Sequence, residues 1–317
     1  MISINAQSAS DTLSALKLQL AGITKLFDRD SRIFYLDYPV YNNVGDLLIN
    51  IGTEQFFLDH DISIYRRYSV LDMPSDDQLE TDDNTTFLFQ GGGNFGDLYA
   101  DHQGMRERLV EQFHHVRIVF LPQSLFYSSM EAQRESFEKI ARHPNFHILA
   151  RDKESLDALR DFGITDSSMM PDMAHMLWEE VAAISSGEEG REIYFLRQDR
   201  EATAVPLELA KRFSSESVDW NNIVSLPHRI RARLAFYFLK TFGRITSTRL
   251  NTWLWYSTRD QMVADAVRYF SRHDRIYTNR LHAMLLGLIL GRNVVAFDNS
   301  YGKLSRYINA WLLSASA

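Results

Sequence analysis

The fold class is decided by the stretch Arg275-Ile276-Tyr277-Thr278-Asn279-Arg280-Leu281-His282 and the apolar run at 283–291 that follows it. A short strand is predicted at 275–277 and a stronger one at 293–297. The apolar run between them has no alternation and ends at Gly291, which is typical of a buried crossover helix between parallel strands. We expect Thr278 or Asn279 to cap this helix by accepting hydrogen bonds from its free amides. The pattern therefore predicts an α/β fold.

The start of this helix brings a cation and an imidazole together. Arg280 and His282 fall in the first turn, where free amides and the helix dipole favour an anion. A permanently charged guanidinium and a titratable imidazole suit a site that holds a phosphate or carboxylate while a proton moves. An arginine in a salt bridge and a histidine that only packs would explain the pair equally well, so the rest of the chain has to decide.

Composition limits the class of protein. The chain has 317 residues, which is enough for two domains, with 45% hydrophobic and 24% charged residues, as in a globular protein. A net charge of −7 argues against nucleic-acid binding. The absence of cysteine excludes disulfides and thiolate metal sites. The first residues do not resemble a signal peptide and the longest apolar run is too short to span a bilayer, so we expect a cytoplasmic protein.

Strands and helices alternate through the first half of the chain. Arg151 follows a predicted strand, at the end where open α/β sheets place their ligands, and the pair Pro171-Asp172 follows another. The alternation predicts a doubly wound parallel sheet. The predicted helices are 12–27 (capped by Asp11), 47–58, 131–141 and one ending at 162, and the predicted strands are 32–36, 62–68, 87–90, 116–121, 146–150 and 168–170.

The most linker-like segment is Ser185-Ser186-Gly187-Glu188-Glu189-Gly190, and we place a domain boundary there, between residues 186 and 187. The predicted domains are residues 1–186 and 187–317. The second domain begins with a strand at 192–196 and a helix near 207–213. It contains the unit quoted first and ends with a loop up to Lys303 and a last helix to Trp311.

Two polar loops lie at predicted element ends in the first domain. Asn43-Val44-Gly45-Asp46 leads into a helix, where Asp46 is either a cap or a carboxylate that faces a ligand. Gly91-Gly92-Gly93-Asn94 follows a buried strand, an order that usually brings backbone amides close to a ligand. The spacing of Gly91, Gly93 and Gly96 fits the dinucleotide fingerprint. The next strand, however, closes with Pro122-Gln123-Ser124 and not with the acidic residue that this fingerprint requires.

The segment 228–259 differs from the rest of this acidic chain. It contains arginines and one lysine interleaved with aromatic residues, and it has no acidic residue. This mixture is favoured at anionic membrane interfaces, so one hypothesis is docking on the inner membrane leaflet. An ordinary pair of helices with snorkelling arginines explains the same composition.

The ordered set of short motifs resembles the polysaccharide pyruvyl transferase family, which includes the exopolysaccharide ketal pyruvate transferases. The resemblance covers about residues 41–303. Its motifs are Asn43-Val44-Gly45-Asp46, Gly91-Gly92-Gly93-Asn94, Leu121-Pro122-Gln123-Ser124, Ala150-Arg151-Asp152, Pro171-Asp172 and Asn279-Arg280-Leu281-His282. The resemblance implies two Rossmann-like domains that face a cleft, as in the GT-B glycosyltransferases. It also implies transfer of pyruvate from phosphoenolpyruvate to a sugar as a ketal, with an acceptor that is usually lipid-linked. Segment 228–259 contains none of these motifs.

Roles for individual residues follow from this chemistry. A carboxylate and a phosphate on one small frame require converging cationic and amide donors, and protonation of the methylene carbon requires a general acid. We expect the acid to be His282 and the base that takes the hydroxyl proton to be Asp46, or as second choice Asp172. The expected phosphoenolpyruvate-binding residues, mainly on the second domain, are Arg280, Leu281, Arg151 and Lys303. The expected acceptor-binding residues, on the first domain, are Asn43, Gly92, Gly93, Asn94 and Gln123. No metal or cofactor is expected.

Two other functions fit the same features. The first is a GT-B-type glycosyltransferase that uses a nucleotide sugar, since it shares a two-domain cleft with a phosphate at a helix start. The second is a non-catalytic sugar- or lipid-binding protein of a polysaccharide assembly complex, suggested by segment 228–259. The acceptor sugar, its hydroxyls, the ketal stereochemistry and the oligomeric state are not encoded in any pattern of the sequence.

Overall fold

The computed structural model describes residues 1–180, 188–198, 217–298 and 302–313, without the side chains of 188–190 and 303. These residues form two mainly parallel sheets with helices packed against them, which confirms the α/β class. The predicted boundary between residues 186 and 187 and the predicted helix at 207–213 lie outside the described residues and stay predictions.

The strands and helices are numbered in chain order. The strands are β1 Ile2–Ile4, β2 Arg32–Leu36, β3 Ile64–Tyr68, β4 Thr85–Phe89, β5 Gly92–Phe95, β6 Arg117–Leu125, β7 Phe146–Ala150, β8 Ser167–Met169, β9 Glu188–Phe195, β10 His273–Thr278 and β11 Asn293–Ala296. The α-helices are α1 Ala6–Leu20, α2 Val44–Asp59, α3 Ala100–Gln112, α4 Met130–Ala141, α5 Lys153–Phe162, α6 Trp220–Ile223, α7 Leu226–Phe242, α8 Thr248–Phe270, α9 Leu281–Ile289 and α10 Lys303–Tyr307. Short 3₁₀ turns lie at Ala21–Lys25, Asp76–Gln78 and Met173–Leu177, and a π turn at Ile308–Leu312 ends the described chain.

The larger sheet has the order β3-β2-β4-β6-β7-β8, with β5 against β6, and all of its pairings are parallel. Alternate residues of β2 enter two separate cores. Ile33 and Tyr35 join the core that contains α2, whereas Phe34 and Leu36 join the core that contains α3 and α4. Both faces of the sheet are therefore covered, as the predicted doubly wound arrangement requires.

The strand order of this sheet reverses between β2 and β4, because the chain first moves outward to β3 and then returns to the other side of β2. In open parallel sheets ligands bind beside the carboxyl ends of the strands at such a reversal. The residues that follow β2 and β4 include Asp46 at the start of α2 and the glycines before Asn94. The fold thus brings the two polar loops of the sequence to one place.

The smaller sheet has the order β1-β11-β10-β9, in which β1 alone is antiparallel to its neighbour among the described strands. The first strand was not predicted. The expected start of the first helix near Thr12, capped by Asp11, is wrong: α1 begins at Ala6, where the Asn5 side chain accepts from the amides of Gln7 and Ser8. Asn5 provides the cap one turn and a half earlier, so the helix extends toward the amino terminus.

Helix α8 joins the two halves through buried polar contacts. Arg259 donates to the Asn50 side chain of α2 at 2.6 Å, and the Tyr256 hydroxyl donates to Glu54 at 2.6 Å. Asn251 donates to the buried carboxylate of Asp72 at 3.2 Å. These bonds fix the second half of the chain against α2 and against the loop after β3. The first turn of α2 lies at the strand reversal. No helix within the described ranges combines the length and apolarity needed to cross a bilayer.

Candidate active site

A cavity of about 490 Å³ opens between the carboxyl ends of strands from both sheets. The larger sheet contributes residues that follow β2, β4 and β7, and the smaller sheet contributes residues that follow β9 and β10. The lining side chains are predominantly polar. They are Tyr41, Asn42, Asn43, Asp46, Gly93, Asn94, Tyr99, His102, Arg151, Arg197, Gln198, Asp219, Trp220, Asn221, Arg280, Leu281 and His282.

Arg280 occupies the N-cap position of α9, so the prediction that Thr278 or Asn279 caps this helix is wrong. The two side chains are used elsewhere: Thr278 Oγ1 accepts from the Arg280 amide at 3.0 Å, and Asn279 Oδ1 accepts from the Arg197 amide at 2.8 Å. Within the described residues no side chain caps the first turn of α9. The first turn of α9, with its positive dipole end, borders the cavity at Leu281 and His282.

The Arg280 guanidinium is held by a carboxylate that the sequence analysis missed. Its Nη2 donates to Asp219 Oδ2 at 2.6 Å, and the same oxygen accepts from the Gln198 amide at 3.0 Å. Both side chains are almost buried and both line the cavity. Asp219 directly precedes α6, and the sequence around it has no motif that would mark it as a site residue.

The imidazole of His282 packs against the backbone of α2. A Cβ atom placed on Gly45 would lie 2.7 Å from His282 Nδ1, a separation that real structures do not show. Only glycine at position 45 therefore leaves the ring where it is. The close approach of His282 thus explains the glycine at position 45.

Asp172 connects the two halves of the cavity. One of its oxygens, Oδ2, accepts from Arg151 Nη1 at 2.6 Å and lies 3.3 Å from His282 Nε2, while Oδ1 accepts from the Ala174 amide at 2.9 Å. Arg151 is further held by the Ser124 hydroxyl at 2.8 Å. Arg151, from the larger sheet, and His282, from the smaller one, therefore share one carboxylate oxygen.

The protonation of this centre follows from its surroundings. Asp172 is completely buried, and burial alone would favour its neutral form. The charges of His282 and Arg151 outweigh that effect and hold the pKa of Asp172 well below its usual value. Nearby, burial lowers the pKa of His175 to about 4, so this ring is neutral at pH 7. Its Nε2 lies 2.8 Å from the Tyr307 hydroxyl. The oxygen of this hydroxyl accepts a hydrogen bond from the Asp172 amide at 3.0 Å.

Asp46 lies in the first turn of α2 but does not cap it. The cap is Asn43, whose Oδ1 accepts from the Gly45 amide at 3.1 Å and whose Nδ2 donates to Asp46 Oδ2 at 2.6 Å. The sequence allowed Asp46 to be either a helix cap or a carboxylate that faces a ligand. The structure excludes the cap, and the Asp46 carboxylate lines the cavity. Beside it, burial and then the carboxylates of Asp46 and Asp37 raise the pKa of Tyr41 well above its usual value.

The other predicted acceptor-side residues divide into two groups. Gly93 and Asn94 line the cavity, whereas Gly92 and Gln123 are absent from its lining. Gln123 is fully buried in β6 and donates to the main-chain oxygen of Gln90. The expected glycine loop is also different, because residues 92–95 form the strand β5 beside β6. Lys303 begins α10, and its side chain is outside those described.

A buried charge network on the acceptor side was not predicted. Asp37, in a left-handed conformation with φ of 67°, is fully buried and bonds both His102 Nδ1 and Arg106 Nη2 at 2.5 Å. Arg106 also donates to the side-chain oxygen of Asn94 at 2.7 Å. The ring of His102 borders the cavity between the edges of Tyr41 and Tyr99. His102 and Arg106 are one helical turn apart on α3, and that spacing was the available signal.

Comparison with known proteins identifies the relatives of this chain. The sequence model of the polysaccharide pyruvyl transferase family matches residues 43–301. A Bacillus subtilis protein named "Putative pyruvyl transferase EpsO" is 34% identical over 95% of this chain and 92% of its own length. "Pyruvyl transferase 1" of Schizosaccharomyces pombe is 24% identical over 89% of this chain and 70% of its own. A crystal structure of an uncharacterized Klebsiella pneumoniae protein superposes with a TM-score of 0.64 at 16% identity, covering 95% of both chains, and shares the fold.

Proposed function

The chain belongs to the polysaccharide pyruvyl transferase family, and from this premise we propose that it transfers pyruvate from phosphoenolpyruvate to a saccharide as a ketal. The proposal includes a GT-B-like arrangement in which the two sheets face a shared cleft. The observation that carries it is the convergence of Arg151, Arg280 and His282 on one cavity from two sheets.

The donor needs two anion sites a short distance apart. Arg280 and the amino-terminal amides of α9 supply one, on the side of the smaller sheet. Arg151, held by Asp172 and Ser124, supplies the other on the side of the larger sheet. Phosphoenolpyruvate carries a phosphate and a carboxylate on one frame, so it fits two cationic groups that face each other. Leu281 and Lys303 remain proposed contacts of the donor.

His282 is the proposed general acid. Addition of its proton to the methylene carbon of the donor makes a methyl group and leaves an oxocarbenium-like carbon next to the carboxylate. A first saccharide hydroxyl attacks that carbon and gives its proton to Asp46, from which it returns to His282 before the next turnover. A second hydroxyl then displaces phosphate and closes the ring, so one proton ends on the methyl carbon and the other on phosphate. Every proton is assigned to a group of the chain or a substrate, and the scheme is proposed without a metal or cofactor.

Asp46 is the proposed base for the hydroxyl proton. It lies at the cavity on α2, where its oxygen Oδ2 accepts from the Asn43 side-chain amide at 2.6 Å. Asp172, the second choice, is buried and its lowered pKa makes it a weak base. Its two cationic neighbours fit it better for holding Arg151 and His282 in place. Asn43, Gly93, Asn94 and His102 border the space in which the acceptor would lie.

The acceptor is proposed to be a lipid-linked repeat unit of an exopolysaccharide at the inner face of the cytoplasmic membrane. The proposal rests on the family and on the polar lining of the acceptor side of the cavity. Gly92 and Gln123 are left out of the proposed acceptor contacts, because both lie away from the lining.

Thermal unfolding with candidate donors tests the donor directly. A donor at about 100 times its Kd stabilises the folded state by about 2.7 kcal/mol, a shift of several degrees in Tm. We expect this shift with phosphoenolpyruvate and none with sugar nucleotides, together with phosphate release when a saccharide is added. A shift with a sugar nucleotide alone would favour a glycosyltransferase. Stabilisation without phosphate release for any saccharide would favour a non-catalytic binding protein.

A further inference from the structure

Large hydrophobic side chains are unusually exposed in one part of the second half of the chain. They concentrate on α7, on the turn after it and on the start of α8. These residues are Leu226, Ile230, Leu234, Tyr237, Phe242, Ile245, Leu250 and Trp253. The sequence had allowed two interpretations of 228–259, and the structure divides the segment between them.

Helix α8 follows the interpretation of an ordinary packed helix. Trp255, Met262 and Ala266 are fully buried, and Arg259 is engaged with Asn50 of α2. Its exposed residues Leu250 and Trp253 are confined to its first turns. The aromatic residues of the middle of α8 are therefore part of the core.

Helix α7 does not follow the interpretation of an ordinary packed helix. Ala232, Ala235 and Leu239 bury one face, while the opposite face carries Leu226, Ile230, Leu234 and Tyr237, which are 59, 51, 65 and 52% exposed. Spacings of four, four and three residues place these side chains along one stripe. Within the part of the chain that the structure describes, an apolar stripe that faces away from the core contributes little to packing.

The charge around the stripe is positive. Arg233, Lys240, Arg244 and Arg249 are exposed, and none of them has an ion-pair partner in the described ranges. No acidic residue occurs from 226 to 259, although the whole chain has a net charge of −7. Basic side chains beside an apolar stripe with Tyr237 and Trp253 complement an anionic bilayer surface.

The amino-terminal end of the stripe lies near the cavity. Asn221 lines the cavity and α7 begins at Leu226, so the chain between them spans at most about 18 Å. A bilayer in contact with the start of α7 would therefore lie within about that distance of a residue that lines the cavity. This position suits an acceptor whose lipid anchor stays in the membrane.

We propose that the α7 stripe, with Ile245 and Trp253 beside it, binds the headgroup region of an anionic bilayer and thereby presents the cavity to a lipid-linked acceptor. The part of the proposal that concerns bilayer binding depends only on the exposed residues of this surface. The presentation of the acceptor rests on the proposed function.

Co-sedimentation of the full chain with lipid vesicles tests the surface without any substrate. We expect binding to vesicles of phosphatidylcholine mixed with phosphatidylglycerol and little binding to phosphatidylcholine alone, with the difference reduced by salt. The double change Ile230→Gln and Leu234→Gln should weaken binding by about ten-fold or more. Arg233→Gln should weaken it by about five-fold. The matched control is Leu58→Gln, which changes a leucine that is 72% exposed on α2.

The outcomes separate the alternatives. Absence of binding to the mixed vesicles, or an equal loss in Leu58→Gln, would overturn the proposal. Gel filtration that shows a dimer for the wild type and a monomer for the double variant, without vesicle binding, would assign the stripe to a second copy of the chain and would also overturn it. Equal Tm values for all variants exclude a folding defect. Phosphate release with a soluble saccharide measures the proposed function separately.

Discussion

Asp172 and His282 contact each other across the two halves of the chain, with Oδ2 of the carboxylate 3.3 Å from Nε2 of the imidazole. The same oxygen holds Arg151 at 2.6 Å. One buried carboxylate thus positions a group proposed to bind the donor and a group proposed to protonate it.

Replacement of His282 by alanine should lower kcat by about 10²- to 10⁴-fold, because a general acid of this kind contributes roughly that much. The KM for phosphoenolpyruvate should change little, since both arginines remain. Steady-state kinetics with a phosphate-release readout measures both constants. Wild-type turnover in His282→Ala would remove this residue from the mechanism.

Gly45→Ala should reproduce much of the loss seen in His282→Ala without removing any reacting atom. The new methyl group would lie 2.7 Å from His282 Nδ1 and force the ring to move. The matched control is Gly104→Ala on α3, where an added Cβ has no neighbour within 4 Å. If both alanine variants keep the wild-type kcat, the position of the imidazole is not critical.

Replacement of Arg280 by lysine should raise the KM for phosphoenolpyruvate by about ten- to hundred-fold, because a charged hydrogen-bonding group contributes about 1.5–3 kcal/mol. Lysine keeps the charge but loses the planar fork that also bonds Asp219 at 2.6 Å. Arg160→Lys, an exposed change on α5, serves as the control. A lower kcat at unchanged KM would instead place Arg280 in the chemical step.

Asp172→Asn should destabilise the fold by about 3–5 kcal/mol, because it leaves Arg151 buried without its carboxylate. Urea unfolding measures this loss. Asp46→Asn, at the edge of the cavity, should leave stability within about 0.5 kcal/mol of the wild type and lower kcat. Equal stability of the two variants would contradict the positioning role of Asp172.

Acid should weaken the fold through His175. Because burial lowers the pKa of this ring to about 4 in the folded protein, the unfolded chain binds a proton first as the pH falls. The stabilisation that comes from keeping this ring neutral is complete above about pH 6.5 and is lost as the pH falls toward 4. The free energy of unfolding therefore decreases by about 2 kcal/mol between pH 7 and pH 5. Urea unfolding of wild type and His175→Gln at both pH values measures the difference. An identical pH dependence in the variant would exclude His175 as its source.

The sequence was most informative where short motifs meet regular strands. Strands 32–36 and 146–150 were predicted with the observed bounds, because their apolar runs are buried on both faces. Asn43, Asp46, Gly93, Asn94, Arg151, Leu281, Arg280 and His282 were predicted for the site and all line the cavity. Parallel strands end at the same edge of a sheet, so residues after strand ends could be grouped before their contacts were known.

The remaining site residues depend on contacts between distant parts of the chain. His102 gains its place through Asp37, which is 65 residues earlier in the sequence, and Asp219 through Arg280, which is 61 residues later. No sequence pattern near either residue signals these two contacts. Gln123 was misplaced because β6 continues through Pro122 to Leu125 and buries its side chain between strands. The start of α1 was missed because Asn5 caps it before the apolar periodicity becomes clear.

A crystal structure with bound phosphoenolpyruvate measures the central claim most directly. The account predicts that the donor lies in the cavity with its phosphate and carboxylate on the guanidinium groups of Arg280 and Arg151, and with its methylene carbon facing His282. A donor bound away from these three side chains, or one whose anionic groups contact neither arginine, would contradict it.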